Sequence, residues 1–289
     1  IKSHKSYSPN TLRGMLSRFP ILLLRIFHMP ADIIRLAVRT KQSQFSFSEK
    51  IQIFQFLFLN YFGRKFTRKN RVEITQKVLG FKISAYGYRI LFFLFNEIFL
   101  SKEYHFKATN DRPKIIDCGA NIGMALLFFK WLYPESSIIA FEPNPNAFKL
   151  LEKNVKQNKL KNVTLYNLGL SNRNGEIEFF TEGNKGSLVG SIFQKRGGKD
   201  SILIKTIKLS DIIKSNNFDL IKIDVEGAEF QMLEDIIEEK STNQFKQFLI
   251  EYHHRIGGEK SKLSSFIKHF EDHNYEYNIR TNYNDLGDF

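Results

Sequence analysis

The stretch IIDCGANIG, residues 115–123, constrains the fold of this chain more than any other part of its sequence. A short isoleucine-rich run leads into it, and the apolar run MALLFFKWLY follows it. These patterns predict a buried strand, a glycine-rich turn and a helix, which is the arrangement that holds nucleotide-like ligands in α/β proteins. Glycines in such a turn let the backbone bend tightly and approach a ligand closely.

From residue 114 onward the pattern alternates between strand-like and helix-like segments. Alternation at this spacing predicts an α/β fold with a mostly parallel, Rossmann-like sheet and helices on both faces. We expect antiparallel excursions at residues 176–180 and 202–209, one strand over residues 163–170 and a last strand over residues 275–280. Ligands of such sheets bind outside the carboxyl ends of the strands, so the informative residues should lie there.

Residues 1–71 form a predicted basic, mainly helical region, and residues 72–289 a predicted ligand-binding domain. The net charge of +13 is uneven, because residues 1–112 hold 20 Lys and Arg against 6 Asp and Glu, whereas the remainder holds 23 and 24. We expect helices beginning at Pro30 and at Ser48, the latter as N-cap. The basic excess suggests an anionic partner such as a membrane surface, nucleic acid or acidic glycan.

The apolar runs of this region, such as ILLLRIF, are shorter than the roughly 20 residues that span a bilayer. They could lie in an anionic membrane interface or form a homodimer interface. The single cysteine, Cys118, excludes an internal disulfide and suits a reducing compartment. We expect a cytoplasmic protein that can attach to the inner face of the membrane, with Cys118 as an apolar filler.

The acid before the first glycine distinguishes between ligands. Asp117 would repel a pyrophosphate but suits the ammonium group of S-adenosylmethionine. Glu142 ends the next strand, where an acid can accept hydrogen bonds from ribose hydroxyls, as in dinucleotide folds. Glu142 alone therefore does not distinguish S-adenosylmethionine from a dinucleotide, but the two acids together favour S-adenosylmethionine. The expected cofactor contacts are Asp117, Gly119, Ala120, Asn121, Gly123, Glu142, Asn144, Leu168, Gly169 and Asp224.

Four segments in this order resemble the FkbM-type methyltransferases: IIDCGANIG, AFEPNP, LIKIDVEGAE and LIEYHH. The segment NEIFLSKEY, which precedes them, is also similar to that family. The resemblance covers roughly residues 73–280. It implies a class I methyltransferase fold and O-methylation, commonly of sugars, glycans or polyketide-type products.

The catalytic candidates lie at the ends of the fourth and fifth strands. Lys222 and Asp224 are two residues apart and share one face, and a lysine in an apolar strand needs a partner. Asp224 should lie near the transferred methyl, with Glu226 at the start of the next helix. His253 is the preferred base, because an imidazole can take a hydroxyl proton near neutral pH. Asp224, Glu226, Glu251 and His253 could instead hold a hard divalent cation.

The preferred hypothesis is an O-methyltransferase acting on a sugar or glycan hydroxyl, with a lipid-linked acceptor as one form. A nucleic-acid methyltransferase, or an enzyme acting on a polyketide-type molecule, is the alternative. Against nucleic acid, the fourth strand lacks the N-P-P-Y or D-P-P-Y run associated with base methylation, and the basic region carries no zinc-finger or RNA-binding signature. No nucleic-acid partner is therefore expected.

Overall fold

A computed structural model describes residues 45–66, 72–181, 190–214, 216–253 and 263–280. The helix predicted from Pro30 lies outside these ranges, as do residues 1–44 and 67–71 of the proposed membrane-docking region 1–71. The described helices are α1 (Phe47–Phe66), α2 (Tyr88–Phe95), α3 (Met124–Leu132), α4 (Pro145–Gln157), α5 (Gln194–Gly197), α6 (Leu209–Ile213), α7 (Glu229–Glu238) and α8 (Leu263–Asp272). The strands are β1 (Glu73–Val78), β2 (Phe81–Tyr86), β3 (Lys114–Cys118), β4 (Ser137–Phe141), β5 (Val163–Tyr166), β6 (Gly169–Ser171), β7 (Gly175–Thr181), β8 (Gly190–Ser191), β9 (Asp200–Lys208), β10 (Leu220–Ile223) and β11 (Phe248–Ile250).

A parallel five-stranded sheet forms the centre of the fold, in the order β11-β10-β3-β4-β5. The chain runs outward from β3 through β4 to β5, then returns to place β10 on the other side of β3. The strand order thus reverses between β3 and β10. This reversal opens a crevice at the carboxyl ends of the strands, where doubly wound sheets bind ligands. The predicted class I, Rossmann-like fold is confirmed.

Side chains that alternate along the central strands build a core on each face of the sheet. Ile115 and Leu220 point into one core, with α1 to α4. Ile116 and Ile221 point into the other, together with Cys118, which is fully buried. Fully burying an aliphatic side chain contributes about 1.5–3 kcal/mol, so this sharp alternation fixes the register of each strand.

A second sheet, in the order β6-β9-β7-β8, follows β5. Its β7 and β9 pair antiparallel, which confirms the two predicted excursions. The prediction of one strand over residues 163–170 is wrong, because β5 and β6 belong to different sheets. The side-chain amide of Asn167 donates to the carbonyls of Glu142 (2.7 Å) and Pro143 (3.1 Å), which turns the chain between the two strands.

Helix α1 packs on the same core as the β1-β2 hairpin and α2, and its Ile53, Phe56 and Leu57 are buried. Its N-cap is Ser46 rather than the predicted Ser48. Ser46 Oγ accepts a hydrogen bond from the backbone N–H of Glu49, and the Glu49 carboxylate accepts one from the backbone N–H of Ser46. This reciprocal pair is a capping box, in which Ser46 and Glu49 lie three residues apart in the sequence S-F-S-E.

Helix α2 continues into a π-helical turn at Asn96–Leu100, which ends beside the carboxyl edge of the central sheet. The strand predicted for residues 275–280 is not formed. Tyr277 and Ile279 are exposed there, while the Tyr275 hydroxyl donates to the carbonyls of Thr242 and Phe245 and anchors the segment by its side chain. Within the described residues, no helix is both long and apolar enough to cross a bilayer.

Candidate functional site

The turn after β3 packs directly on the loop after β10. Gly119 has φ +80°, and a Cβ built on it would lie 1.9 Å from the carbonyl oxygen of Asp224. Gly123 has φ +88°, and its Cβ would lie 2.7 Å from Leu151. Gly119 therefore excludes a side chain through both backbone conformation and space, whereas at Gly123 the backbone conformation disfavours a side chain and Leu151 would have to shift.

Glu142 follows β4 and faces this turn. Only 6% of the residue is exposed, and its carboxylate accepts hydrogen bonds from the backbone N–H groups of Asn121 (2.8 Å) and Asn144 (2.7 Å). Burial raises the pKa of Glu142 to about 7, although both backbone hydrogen bonds oppose the shift. A further hydrogen-bond donor from a ligand would stabilise the charged form of this carboxylate.

A pocket lies between the turn after β3, the Glu142 loop and the loop after β10. The second sheet closes it with apolar side chains, among them Ile177, Phe179 and Ile204. Eight of the predicted site residues line it: Gly119, Asn121, Glu142, Asn144, Leu168, Gly169, Asp224 and Glu226. Ala120 and Gly123 belong to the same turn but not to the lining.

Asp117 lies beneath this pocket rather than on its wall. It is fully buried next to Lys222, its register partner on β10, and the Lys222 Nζ to Asp117 Oδ1 distance is 3.3 Å. Lys222 Nζ also donates to the carbonyl of Gly119 (2.7 Å) and lies 3.5 Å from Asp224 Oδ2. Burial lowers the pKa of Lys222, but Asp117 and Asp224 outweigh it and raise the pKa above its ordinary value. The charged lysine thus ties the glycine turn to the loop after β10.

A polar cluster adjoins the pocket at the ends of β10 and β11. The Tyr104 hydroxyl donates to Asp224 Oδ2 (3.0 Å) and Glu251 Oε2 (3.4 Å), and its ring lies 5.1 Å from Lys222 Nζ. Burial and the neighbouring Asp224 raise the pKa of Glu251 to about 7. Asp224 and Glu251 come from adjacent strands, as expected, and Tyr104 bridges them.

His253 lies among the carboxylates of the same cluster. Its Nδ1 is 2.9 Å from Glu229 Oε1, and its Nε2 is 3.3 Å from Glu226 Oε2 and 3.7 Å from Glu251 Oε1. Burial lowers the pKa of His253, but the hydrogen bond to Glu229 and the charges of Glu229 and Glu226 raise it to about 9. The imidazole is therefore charged at neutral pH in this arrangement.

Sequence reasoning did not assign three polar residues of this cluster to the site: Tyr104, Glu97 and Glu103. Burial first, and then Glu103 and Glu251, raise the pKa of Glu97 to about 8. All three belong to the NEIFLSKEY segment, whose charged and aromatic residues between apolar ones were the available signal. That segment reaches the sheet edge through the π-helical turn.

The pocket fits S-adenosylmethionine in three respects. The side-chain-free turn lets backbone approach a ligand, the Glu142 carboxylate can accept hydroxyl donors, and the apolar wall suits a flat heterocycle. The buried Asp117 does not take part directly, because its charge is already paired with Lys222 beneath the turn.

Comparisons with known proteins find several methyltransferases that are similar to this chain. The chain is similar to methyltransferase sdnD of Sordaria araneosa, with 31% identity over 179 residues, covering 51% of this chain and 69% of that protein. The 2-O-methyltransferase NoeI of Sinorhizobium fredii is 30% identical over 138 residues, covering 42% and 56%. The hexuronic acid methyltransferase AglP of Haloferax volcanii is 29% identical over 120 residues, covering 40% and 47%.

A family model described as the methyltransferase FkbM domain matches residues 117–277, which is more than half of the 289 residues. The match begins at Asp117, before the glycine turn, and extends past the polar cluster. It therefore includes the residues of both the pocket and the polar cluster, except for the segment that carries Tyr104. The chain therefore belongs to the FkbM family of S-adenosylmethionine-dependent methyltransferases.

Proposed function

We propose that this protein methylates a hydroxyl group of a sugar or glycan. The observation that carries the proposal is the polar cluster of Asp224, Glu251, Tyr104 and His253 beside the cofactor pocket. An apolar acceptor would remove water from these charged groups without replacing its hydrogen bonds, at a cost of several kcal/mol, whereas the hydroxyls of a sugar can replace those bonds. The similarity to a hexuronic acid methyltransferase and to a 2-O-methyltransferase supports a sugar oxygen as acceptor.

S-adenosylmethionine supplies the methyl group, and the electron pair of the broken sulfur–carbon bond stays on sulfur. The acceptor oxygen bonds the methyl carbon, and its hydroxyl proton must pass to a base. The prediction that His253 is this base requires a neutral imidazole, but its carboxylate neighbours keep it charged near neutral pH. We therefore assign the proton to Glu251, whose pKa of about 7 suits a general base.

The other residues position the reactants. Asp224 lies between the pocket and Glu251 and shares Tyr104 with it. Lys222 holds Asp224 and the glycine turn at a fixed separation. Glu226 lines the pocket and His253 lies next to it, 3.3 Å from its carboxylate, and together they position the acceptor oxygen. Much of the rate enhancement in methyl transfer can come from such orientation.

The test is methyl transfer from labelled S-adenosylmethionine to a panel of neutral sugars, uronic acids, phenolic polyketide-type compounds and RNA, with the product site located by nuclear magnetic resonance. We expect an O-methyl group on a sugar hydroxyl. Labelling of the phenols or RNA, with none on any sugar, would contradict the proposed acceptor class.

The proposal extends to a lipid-linked glycan at an anionic membrane, because the basic excess is confined to residues 1–112. Each basic residue near such a surface contributes about 1 kcal/mol of attraction. Vesicle sedimentation should show binding that requires anionic lipid and weakens with salt. A salt-independent dimer that ignores vesicles would instead assign the N-terminal region to self-association.

A further inference from the structure

We infer that Asp224, Glu226 and His253 form a divalent-cation site at the edge of the pocket. One ligand atom from each of the three residues can lie within 4.8 Å of the other two. Two carboxylate oxygens and one imidazole nitrogen suit Mg²⁺ or Mn²⁺ among common cations. The inference rests on the proposed function and specifies how the cluster holds an acceptor oxygen.

The orientation of His253 suits a cation ligand, which would take the place of the proton that Nε2 carries near neutral pH. Glu229 Oε1 holds Nδ1 at 2.9 Å, so that Nε2 faces Glu226 and Glu251. Metal-binding histidines are characteristically held in this way, with the second ring nitrogen on a carboxylate. Glu229 is itself buried at the start of α7, so it fixes the ring firmly.

The surrounding contacts leave room for a ligand atom on Asp224. Tyr104 and Lys222 both contact its Oδ2, and none of the described hydrogen bonds uses Oδ1. Among the described residues, four carboxylates surround this point, those of Asp224, Glu226, Glu229 and Glu251, against the cations Lys222 and His253. Since Lys222 is shared with Asp117, the cluster keeps an excess of negative charge that a divalent cation would neutralise.

The position of the site gives the cation a role. Asp224 and Glu226 line the pocket, while Glu251 and His253 lie behind them, outside its lining. A cation held by these residues would face both the pocket and the side of the cluster that holds the acceptor. It would select acceptors with oxygen ligands, and a sugar with adjacent hydroxyls is such a compound.

Mn²⁺ binding to the full chain, followed by electron paramagnetic resonance, tests this inference without any acceptor. We expect one bound Mn²⁺ that Mg²⁺ displaces, with affinity at least ~10-fold lower in Glu226→Gln and in His253→Asn, and ~10–100-fold lower in Glu229→Gln. Glu152→Gln, an exposed acid on α4, is the control and should bind Mn²⁺ like the parent. Circular dichroism checks that each variant is folded, and paramagnetic broadening of the His253 imidazole signals in the parent provides a readout that needs no variant.

Mn²⁺ affinity that is the same in all four variants, or His253 signals that Mn²⁺ leaves unchanged, would overturn the cation site. Failure of the proposed function gives a different result. Mn²⁺ would then bind through the cluster as expected, while labelled methyl would reach no sugar.

Discussion

The pH dependence of cofactor binding should report the ionisation of Glu142. In the free protein burial raises the pKa of Glu142 to about 7, and a carboxylate that accepts ribose hydroxyls must be charged. Binding at pH 6 must therefore first remove a proton. With that pKa the charged fraction of Glu142 is roughly one-eleventh at pH 6 and ten-elevenths at pH 8. The affinity for S-adenosylmethionine should therefore be ~10-fold lower at pH 6 than at pH 8, a difference of about 1.4 kcal/mol.

The same shift predicts how the stability of the free protein changes. The folded pKa of Glu142 lies above its ordinary value of 4.5, so the folded state binds the proton more tightly than the unfolded state. The stabilisation is fully present below pH 4.5 and is lost as pH rises through about 7. It amounts to something on the order of 3 kcal/mol at most, because one pKa unit corresponds to about 1.4 kcal/mol.

Glu142→Gln separates this residue from other groups that titrate in the same range. Calorimetry at pH 6, 7 and 8 should give weaker S-adenosylmethionine binding for the variant, without the ~10-fold change that Glu142 contributes. Urea unfolding should show the parent losing stability relative to the variant between pH 5 and 8. An identical pH dependence of binding in parent and variant would refute the assignment of Glu142.

Three further substitutions test other parts of the site. Gly119→Ala should destabilise the fold by about 1–3 kcal/mol more than Gly80→Ala in urea unfolding. Both glycines have φ near +80°, but only a Cβ at position 119 would meet another atom, the carbonyl oxygen of Asp224. Equal costs would contradict the close packing of the two loops. Lys222→Met should cost about 3–5 kcal/mol by leaving Asp117 buried without a counter-charge, whereas Lys268→Met, which breaks the exposed pair with Asp272, should cost under about 1 kcal/mol. A Lys222 variant as stable as the Lys268 variant would contradict the buried ion pair. Tyr104→Phe should lower kcat roughly 10-fold with unchanged S-adenosylmethionine affinity, because it removes the hydroxyl that donates to both Asp224 and Glu251. A change in cofactor affinity alone would contradict the placement of Tyr104 in the polar cluster.

Local sequence predicted the parts of this site that depend on local chemistry. The glycine turn, the acid after β4 and the polar ends of β10 and β11 follow from strand-turn-helix patterns, and the parallel sheet brings those ends together. Tyr104 could not be placed in this way, because it lies 120 residues before its partner Asp224 and reaches it only through the π-helical turn.

The other errors have physical reasons of the same kind. Asn167 divides a continuous apolar run by bonding to the carbonyls after β4, which the run itself does not reveal. The pairing of Asp117 with Lys222 depends on the register of β3 against β10. Ser46 rather than Ser48 caps α1, because Glu49 is three residues from Ser46 and can complete the reciprocal pair.

The central claim is that cofactor binding and proton transfer reside in two adjoining halves of one site. The most direct measurement is the pair of constants kcat and S-adenosylmethionine Kd for Glu142→Gln and Glu251→Gln, with a sugar acceptor from the panel. We predict that Glu142→Gln raises Kd while kcat at saturating cofactor is retained. We predict that Glu251→Gln lowers kcat about 10²–10⁴-fold while Kd is unchanged. If Glu251→Gln retains full kcat, or if Glu142→Gln leaves Kd unchanged, this division of the site is contradicted.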